Sequence, residues 1–333
     1  MSPAEATRRS SVAPAVPARP DAPAPERPEA APPAEARAAP PAAPPEAPAD
    51  TPRPSNPAKE FVQVFLRNGT AVIGFVLLVL IAVMTFAGPA IYPVDPYTMV
   101  DLPFAEPFGP YAPLGTDYLG RDILAGIIEG GRATLTVGVT AAVLSVVIGI
   151  LVGALAGYFG GWMDRSLMKV TEFFQILPAL MLAMVLVTIF TASLTTITLA
   201  IGIVAWPQVA RLARAEVMRI RKMDYVAAAT TAGARDAYLI FRVILPGAMP
   251  PLVVAAGLAV GTAILFEAGL SFLGLGDPNT MSWGLIIGQN RNYLLDAWWT
   301  VTFPGLAIFL TVLGISLVGD GINDALNPKL RRR

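Results

Sequence analysis

The sequence predicts an all-α membrane protein of six transmembrane helices behind a disordered N-terminal tail. Three observations carry that expectation. Hydrophobic residues make up 54% of the chain and charged residues 14%, with a mean hydropathy of +0.58, whereas soluble domains run at about 45–50% and about 25%. Long stretches lack any ionisable side chain, and the basic residues collect on alternate sides of those stretches. The formal net charge of zero hides this segregation, and no general basic character points to nucleic acid.

Each element follows from its bounding residues. Residues 1–57 form an Ala/Pro tract with scattered Glu and Arg and almost no large apolar side chains. Such a segment buries too little surface to offset chain entropy, so a disordered cytoplasmic tail is expected. It also lacks the apolar core of a secretory signal. Residues 58–333 form the transmembrane domain. Residues 71–91 are uncharged and long enough to cross a ~30 Å hydrocarbon core once. Residues 133–163 supply the second span, with Tyr158, Phe159 and Trp162 placed as an interfacial belt. Residues 173–210 would run to roughly 57 Å as one helix, so they fold back at the polar cluster Thr191, Ser193, Thr195 and Thr196 into spans three and four. Span five is expected to begin near Pro250-Pro251, which suit a first helical turn, and to run towards Phe266. Span six lies between Asp296 and Asp320.

Lys and Arg are retained on the cytoplasmic side of a membrane. With an inside N-terminus, the inner segments of the domain hold fifteen basic residues, and the outer segments hold only Arg121, Arg132 and Arg291. Both termini are therefore expected in the cytoplasm. The acidic, Pro-rich segment 92–131, with Asp95, Asp101, Glu106, Asp117, Asp122 and Glu129, is expected to fold outside as a periplasmic loop.

The most distinctive inner segment is the basic island at about 211–248. Ala227, Ala228 and Ala229 are small enough for a partner surface to approach closely. Gly233 permits a backbone angle that other residues resist, so two short helices, Asp224–Thr231 and 235–241, are expected to meet at an elbow. Leu245-Pro246 is expected to stop the second. Tyr238, Leu239, Ile240 and Phe241 supply an apolar knob edged by Arg235 and Arg242. The segment is either a docking loop for a cytoplasmic partner or an amphipathic loop lying in the lipid interface.

Chemistry narrows the function classes. Cys and His are both absent, which removes thiolate and imidazole metal sites, Cys nucleophiles and His bases; no metal site and no catalytic residue is assigned. An ion-coupled secondary transporter needs ionisable groups or broken helices in mid-membrane. The spans carry no charge at their centres, so energy is expected to enter from a separate subunit.

The spacing of the island, Ala228-Ala229, three residues, Gly233, nine residues, then Val243-Ile244-Leu245-Pro246, resembles the ATPase-docking loop of binding-protein-dependent ABC importer permeases. Three further stretches resemble the C-type permease subunit of the dipeptide, oligopeptide and nickel importers. They are Leu114-Gly115-Thr116-Asp117-Tyr118-Leu119-Gly120-Arg121-Asp122, then Leu270-Ser271-Phe272-Leu273-Gly274-Leu275-Gly276 with Ser282-Trp283-Gly284, and finally Phe303-Pro304-Gly305 with Gly319-Asp320-Gly321 and Asp324-Ala325-Leu326-Asn327-Pro328. The resemblance implies a type I ABC importer permease fold in a bacterial inner membrane. It further implies a heterodimer with a B-type permease, two ABC ATPase subunits that bind ATP and Mg, and a periplasmic or extracellular solute-binding protein. This chain itself would hold no cofactor. Di- or oligopeptides lead as substrates, with nickel complexes, opines or sugars as alternatives. The family's loop opens with Glu where this chain has Ala227, so an acidic contact to the ATPase is not carried over.

Other residues divide between packing and function. Gly149, Gly153 and Gly157 recur on one helix face and favour close helix approach. Glu172 and Glu267 fall at expected span ends, where a carboxylate reaches water. Trp283 suits an outer aromatic belt or the exit from a binding protein. Asp117, Arg121 and Asp122 suit an internal salt-bridge cluster or a contact to that protein.

Overall fold

The computed structural model describes residues 57–326, so the expected tail and the C-terminal Lys329, Arg331, Arg332 and Arg333 lie outside the described residues. Helix α1 (Pro57–Arg67) leads through Asn68 into α2 (Gly69–Ile91). The Asn68 Oδ1 accepts from the N–H groups of Thr70 and Ala71 and so caps α2. Its Nδ2 donates at 2.9 Å to Asp324 near the end of α11 (Trp299–Leu326), joining the first and last apolar helices.

Helix α3 (Ile123–Phe159) is 37 residues long and starts ten residues before the expected span, because Asp122 caps it through the N–H groups of Leu124 and Ala125. It ends at Gly160, at φ +67°. Its main neighbour is α6 (Leu194–Arg221). A β-carbon at Gly149 would lie 2.6 Å from Val209 Cβ, and one at Gly157 would lie 2.8 Å from the Arg214 carbonyl. The glycine ladder therefore seats α6 at a distance no larger residue allows.

Among the described residues five helices are long and apolar enough to cross a membrane, and a bent pair makes a sixth candidate. That pair corrects the expected third span. Helix α4 (Gly161–Ile176) and α5 (Ala179–Ile189) meet at 86°, so the crossing does not begin at Phe173. Pro178 is the cause, since proline excludes the helical region for the residue before it, and Leu177 sits at ψ 132°. The fold-back into α6 occurs at the expected polar cluster, with Ser193 Oγ capping α6 through Thr196 N–H.

The fifth span is also corrected. Helix α7 (Asp224–Thr231) is followed by the short α8 (Asp236–Tyr238), a π-helical turn (Leu239–Ile244) and α9 (Leu245–Phe272), the last three running on as one helix. Leu245-Pro246 therefore does not stop a helix, and Pro250-Pro251 do not start one. An α-helical Pro246 would press its ring on the carbonyl four residues back. The π turn relieves this by widening the helix just ahead of it: the Leu245 N–H reaches the Ile240 carbonyl, five residues back.

At the acidic end, α10 (Trp283–Asn290), capped by Ser282, turns back against α9 and the start of α3. Helix α11 begins at Trp299 and runs past Asp320.

Candidate functional site

The basic island forms a compact loop whose two faces differ. Asp224 in the first turn complements the positive helix N-terminus, and Ala227, Ala228 and Ala229 are strong helix formers. The helix stops in a Schellman motif: Gly233 N–H donates to Thr230 O at 3.0 Å and Ala234 N–H to Ala229 O at 3.2 Å. Gly233 itself sits at φ +83°, and a β-carbon there would meet no atom within 4 Å. The residue is thus required by the backbone angle and not by crowding.

The inward face is anchored. Val226, Leu239, Ile240 and Ile244 are buried in one cluster with Tyr158 of α3 and Val217 and Ile220 of α6, and Leu245 packs against it. The Tyr158 O–H donates to Asp236 Oδ1 at 2.6 Å, and the Arg221 guanidinium lies 5.3 Å above the Tyr158 ring. Arg214 of α6 binds Asp164 of α4 through two bonds of 2.5 and 2.7 Å, fixing α4 against α6. These tie points are not legible in the sequence: Tyr158 and Asp236 are 78 residues apart and Asp164 and Arg214 are 50 apart, with no local pattern to join them.

The outward face is open. Ala227, Ala228, Gly233, Arg235 and Pro246 are exposed and Ala229 is half-buried. Tyr238 and Phe241 stand out at 55% and 56% exposure, while Leu239 and Ile240 turn inward, so only half of the expected knob faces outward. The outward face is a small-residue surface with two projecting aromatic rings.

The residues singled out at the acidic end sit elsewhere and behave differently. Asp117 is buried and its Oδ1 accepts from the N–H groups of Leu119 and Arg121, both at 2.8 Å. Burial pushes its carboxyl above the ordinary range, against those donors and the nearby Arg121 charge. Asp122 caps α3 and also accepts the Tyr92 O–H; burial and that carboxylate push the Tyr92 hydroxyl well up. Among the described residues no ion pair joins Arg121 to either carboxylate. The expected salt-bridge cluster is therefore a pair of backbone caps, because the carboxylates point at amides that the turn leaves free. Trp283 is fully buried, with Nε1 donating to Ile127 O at 2.8 Å. This corrects its assignment to an aromatic belt, since no part of the ring is left to meet lipid or headgroups.

Glu172 is exposed on α4. Glu267, expected to reach water, is instead buried within α9, which runs on to Phe272. Its oxygens accept from Ser271 Oγ at 2.8 Å and Thr134 Oγ1 at 3.2 Å, hydroxyl partners that make a buried carboxylate tolerable.

The fold and the loop together describe a helical bundle in which two adjacent candidate spans are joined by a basic loop bearing its own short helix. Residues 149–332 match the family described as "Binding-protein-dependent transport system inner membrane component", and residues 56–118 match the "N-terminal TM domain of oligopeptide transport permease C". The chain belongs to the binding-protein-dependent ABC permease family, in its C-type dipeptide/oligopeptide/nickel branch. It is 43% identical over 288 residues to the dipeptide transport system permease protein DppC of Escherichia coli (strain K12), covering 84% of this chain and 96% of that one. It is 41% identical over 283 residues to the di/tripeptide transport system permease protein DppC of Pseudomonas aeruginosa (strain UCBPP-PA14), covering 83% and 93%. In fold it is similar to a chain of the inward-facing MetNI methionine ABC transporter, with a TM-score of 0.52 at 21% identity over 61% of this chain and 96% of that chain.

Proposed function

We propose that this chain is the C-type permease of an ATP-driven importer of di- and tripeptides, working by alternating access. The observation that carries the reading is the two-faced loop. Its inner side is locked to α3, α6 and α9, and its outer side presents Ala227, Ala228, Tyr238 and Phe241 to a partner. A force applied there passes straight into those three spans. The partners are a B-type permease, two ATPase subunits that bind ATP and Mg at the basic end, and a solute-binding protein at the acidic end. The basic end faces the cytoplasm, in keeping with the fifteen-to-three distribution of Lys and Arg. Peptides are favoured over nickel complexes, opines or sugars by the names of the relatives cited above. ATP-driven closure of the ATPase pair draws the two permease loops together and turns the cavity outward.

The test is uptake by the complete transporter in liposomes, with binding protein on the outer side. Uptake of labelled dipeptide that requires internal ATP is expected. Uptake driven by an ion gradient without ATP would overturn the reading.

A further inference from the structure

Helices α6 and α9 are the two spans that flank the loop, and a cavity of about 230 Å³ opens between them. Its lining includes Ala205, Gln208 and Leu212 from α6, and Ala255, Ala259 and Thr262 from α9. Gln208 and Thr262 are exposed there. Of the exposed threonine hydroxyls of the spans, those at 140, 188, 262 and 302 return their protons to their own helix backbones, and that at 136 does not. The Gln208 side-chain amide makes no hydrogen bond within the described chain, although it carries two donors and a two-lone-pair acceptor.

An open amide one turn inside the apolar stretch calls for a polar partner, which lipid tails do not supply. A primary amide presents the same donor and acceptor set as a peptide unit and pairs with one at either group. The cavity is also smaller than the ~300–1,000 Å³ of complete ligand pockets, as one wall of a shared chamber would be. Finally, its two walls are the helices that enter and leave the loop, so a displacement of the loop alters this cavity directly.

We infer that the α6–α9 groove is this subunit's wall of the translocation pathway, and that Gln208 hydrogen-bonds the backbone of the peptide in transit. The inference rests on the importer reading above and extends it to a named residue. Specificity through a backbone-matching amide would be broad in side chain and narrow in chemical class.

The experiment uses the complete transporter, in which this chain has no cysteine of its own. Gln208→Cys, Thr262→Cys and, as a reference on α2, Leu80→Cys are treated in inverted membrane vesicles with a charged, membrane-impermeant thiol reagent. Labelling of the first two and not the third is expected without nucleotide, with a marked slowing once the ATPases are trapped closed. In parallel, Gln208→Leu is expected to lower dipeptide uptake about tenfold, the scale of one or two lost hydrogen bonds, and Gln208→Asn to retain most of it. Absence of labelling at both positions would overturn the pathway assignment and mean that another subunit or lipid covers the groove. Unchanged uptake in Gln208→Leu would overturn the role of the amide. Labelling as expected in a transporter that moves no peptide would refute the peptide reading and leave the wall assignment standing.

Discussion

At the basic end of the bundle Ala227, Ala228, Gly233, Tyr238 and Phe241 turn outward, whereas at the acidic end Asp117, Asp122 and Trp283 are buried and hydrogen-bonded inside the fold. Both groups belong to stretches that resemble the same family. Exposure separates their jobs. A buried, satisfied side chain supports the backbone around it, and its loss is felt as instability. An exposed residue on a rigid mount adds little to stability, so a requirement for it points to a partner. The comparison therefore predicts that substitutions at the two ends fail in different ways.

The largest effect on the fold is expected from Trp283→Ala. The indole fills a core shared with Ile127, Ile264 and Ile286 and donates to a main-chain carbonyl. Its removal leaves a cavity and an unpaired acceptor, together costing about 4 kcal/mol. A strongly reduced yield of assembled transporter and a lowered unfolding temperature in detergent are the measurements. Normal yield and stability with lost binding-protein docking would move Trp283 from the supporting class to the contact class.

Gly233→Val is expected to be smaller for the fold and larger for coupling. No atom stands near a β-carbon at this position, so the whole cost is the positive φ, about 1–3 kcal/mol for a residue held in that region. The strain falls on the Schellman turn, whose inward neighbours Val226 and Leu239 remain buried. Membrane insertion and pairing with the second permease should survive, while uptake and the recovery of ATPase subunits on purification should drop. Retained coupling would show that the elbow tolerates distortion and that docking rests on α7 alone.

How much of this was legible depends on the range of the interactions. The elbow at Gly233 and helix Asp224–Thr231 were readable because both are local: small helix formers, then the one residue that accepts positive φ. The fold-back near Ser193 was readable for the same reason. The bend at Leu177-Pro178 was not legible because no charge marks a break between 173 and 210 and a single proline is its local sign. The continuation through Pro246, Pro250 and Pro251 was missed because proline normally ends a helix, and nothing in the sequence announces a π turn that makes room for one. The place of Glu267 inside α9 was not legible because the hydroxyls that hold it, on α3 and α9, make no local pattern, the former lying 133 residues away. The roles of Tyr158, Asp236, Asp164 and Arg214 depend on tertiary contact and left no local trace.

Ala228→Arg should have the smallest effect on the fold and gives the sharpest test of the comparison. Ala228 lies on the exposed face of α7, while Val226, two residues earlier, points into the core. Arginine is a good helix former, and a surface substitution of this kind changes stability by no more than about 0.5 kcal/mol. The added side chain would nonetheless stand where a partner has to approach a helix of small residues. Unfolding temperature and assembly with the second permease should match the parent, yet ATPase recovery and uptake should fall severely. The conservative Ala228→Ser keeps the surface low and should restore both. If Ala228→Arg retained full uptake with normal ATPase recovery, the outward face of α7 would not be a docking surface, and the basic loop would instead be an interfacial segment whose arginines meet lipid headgroups.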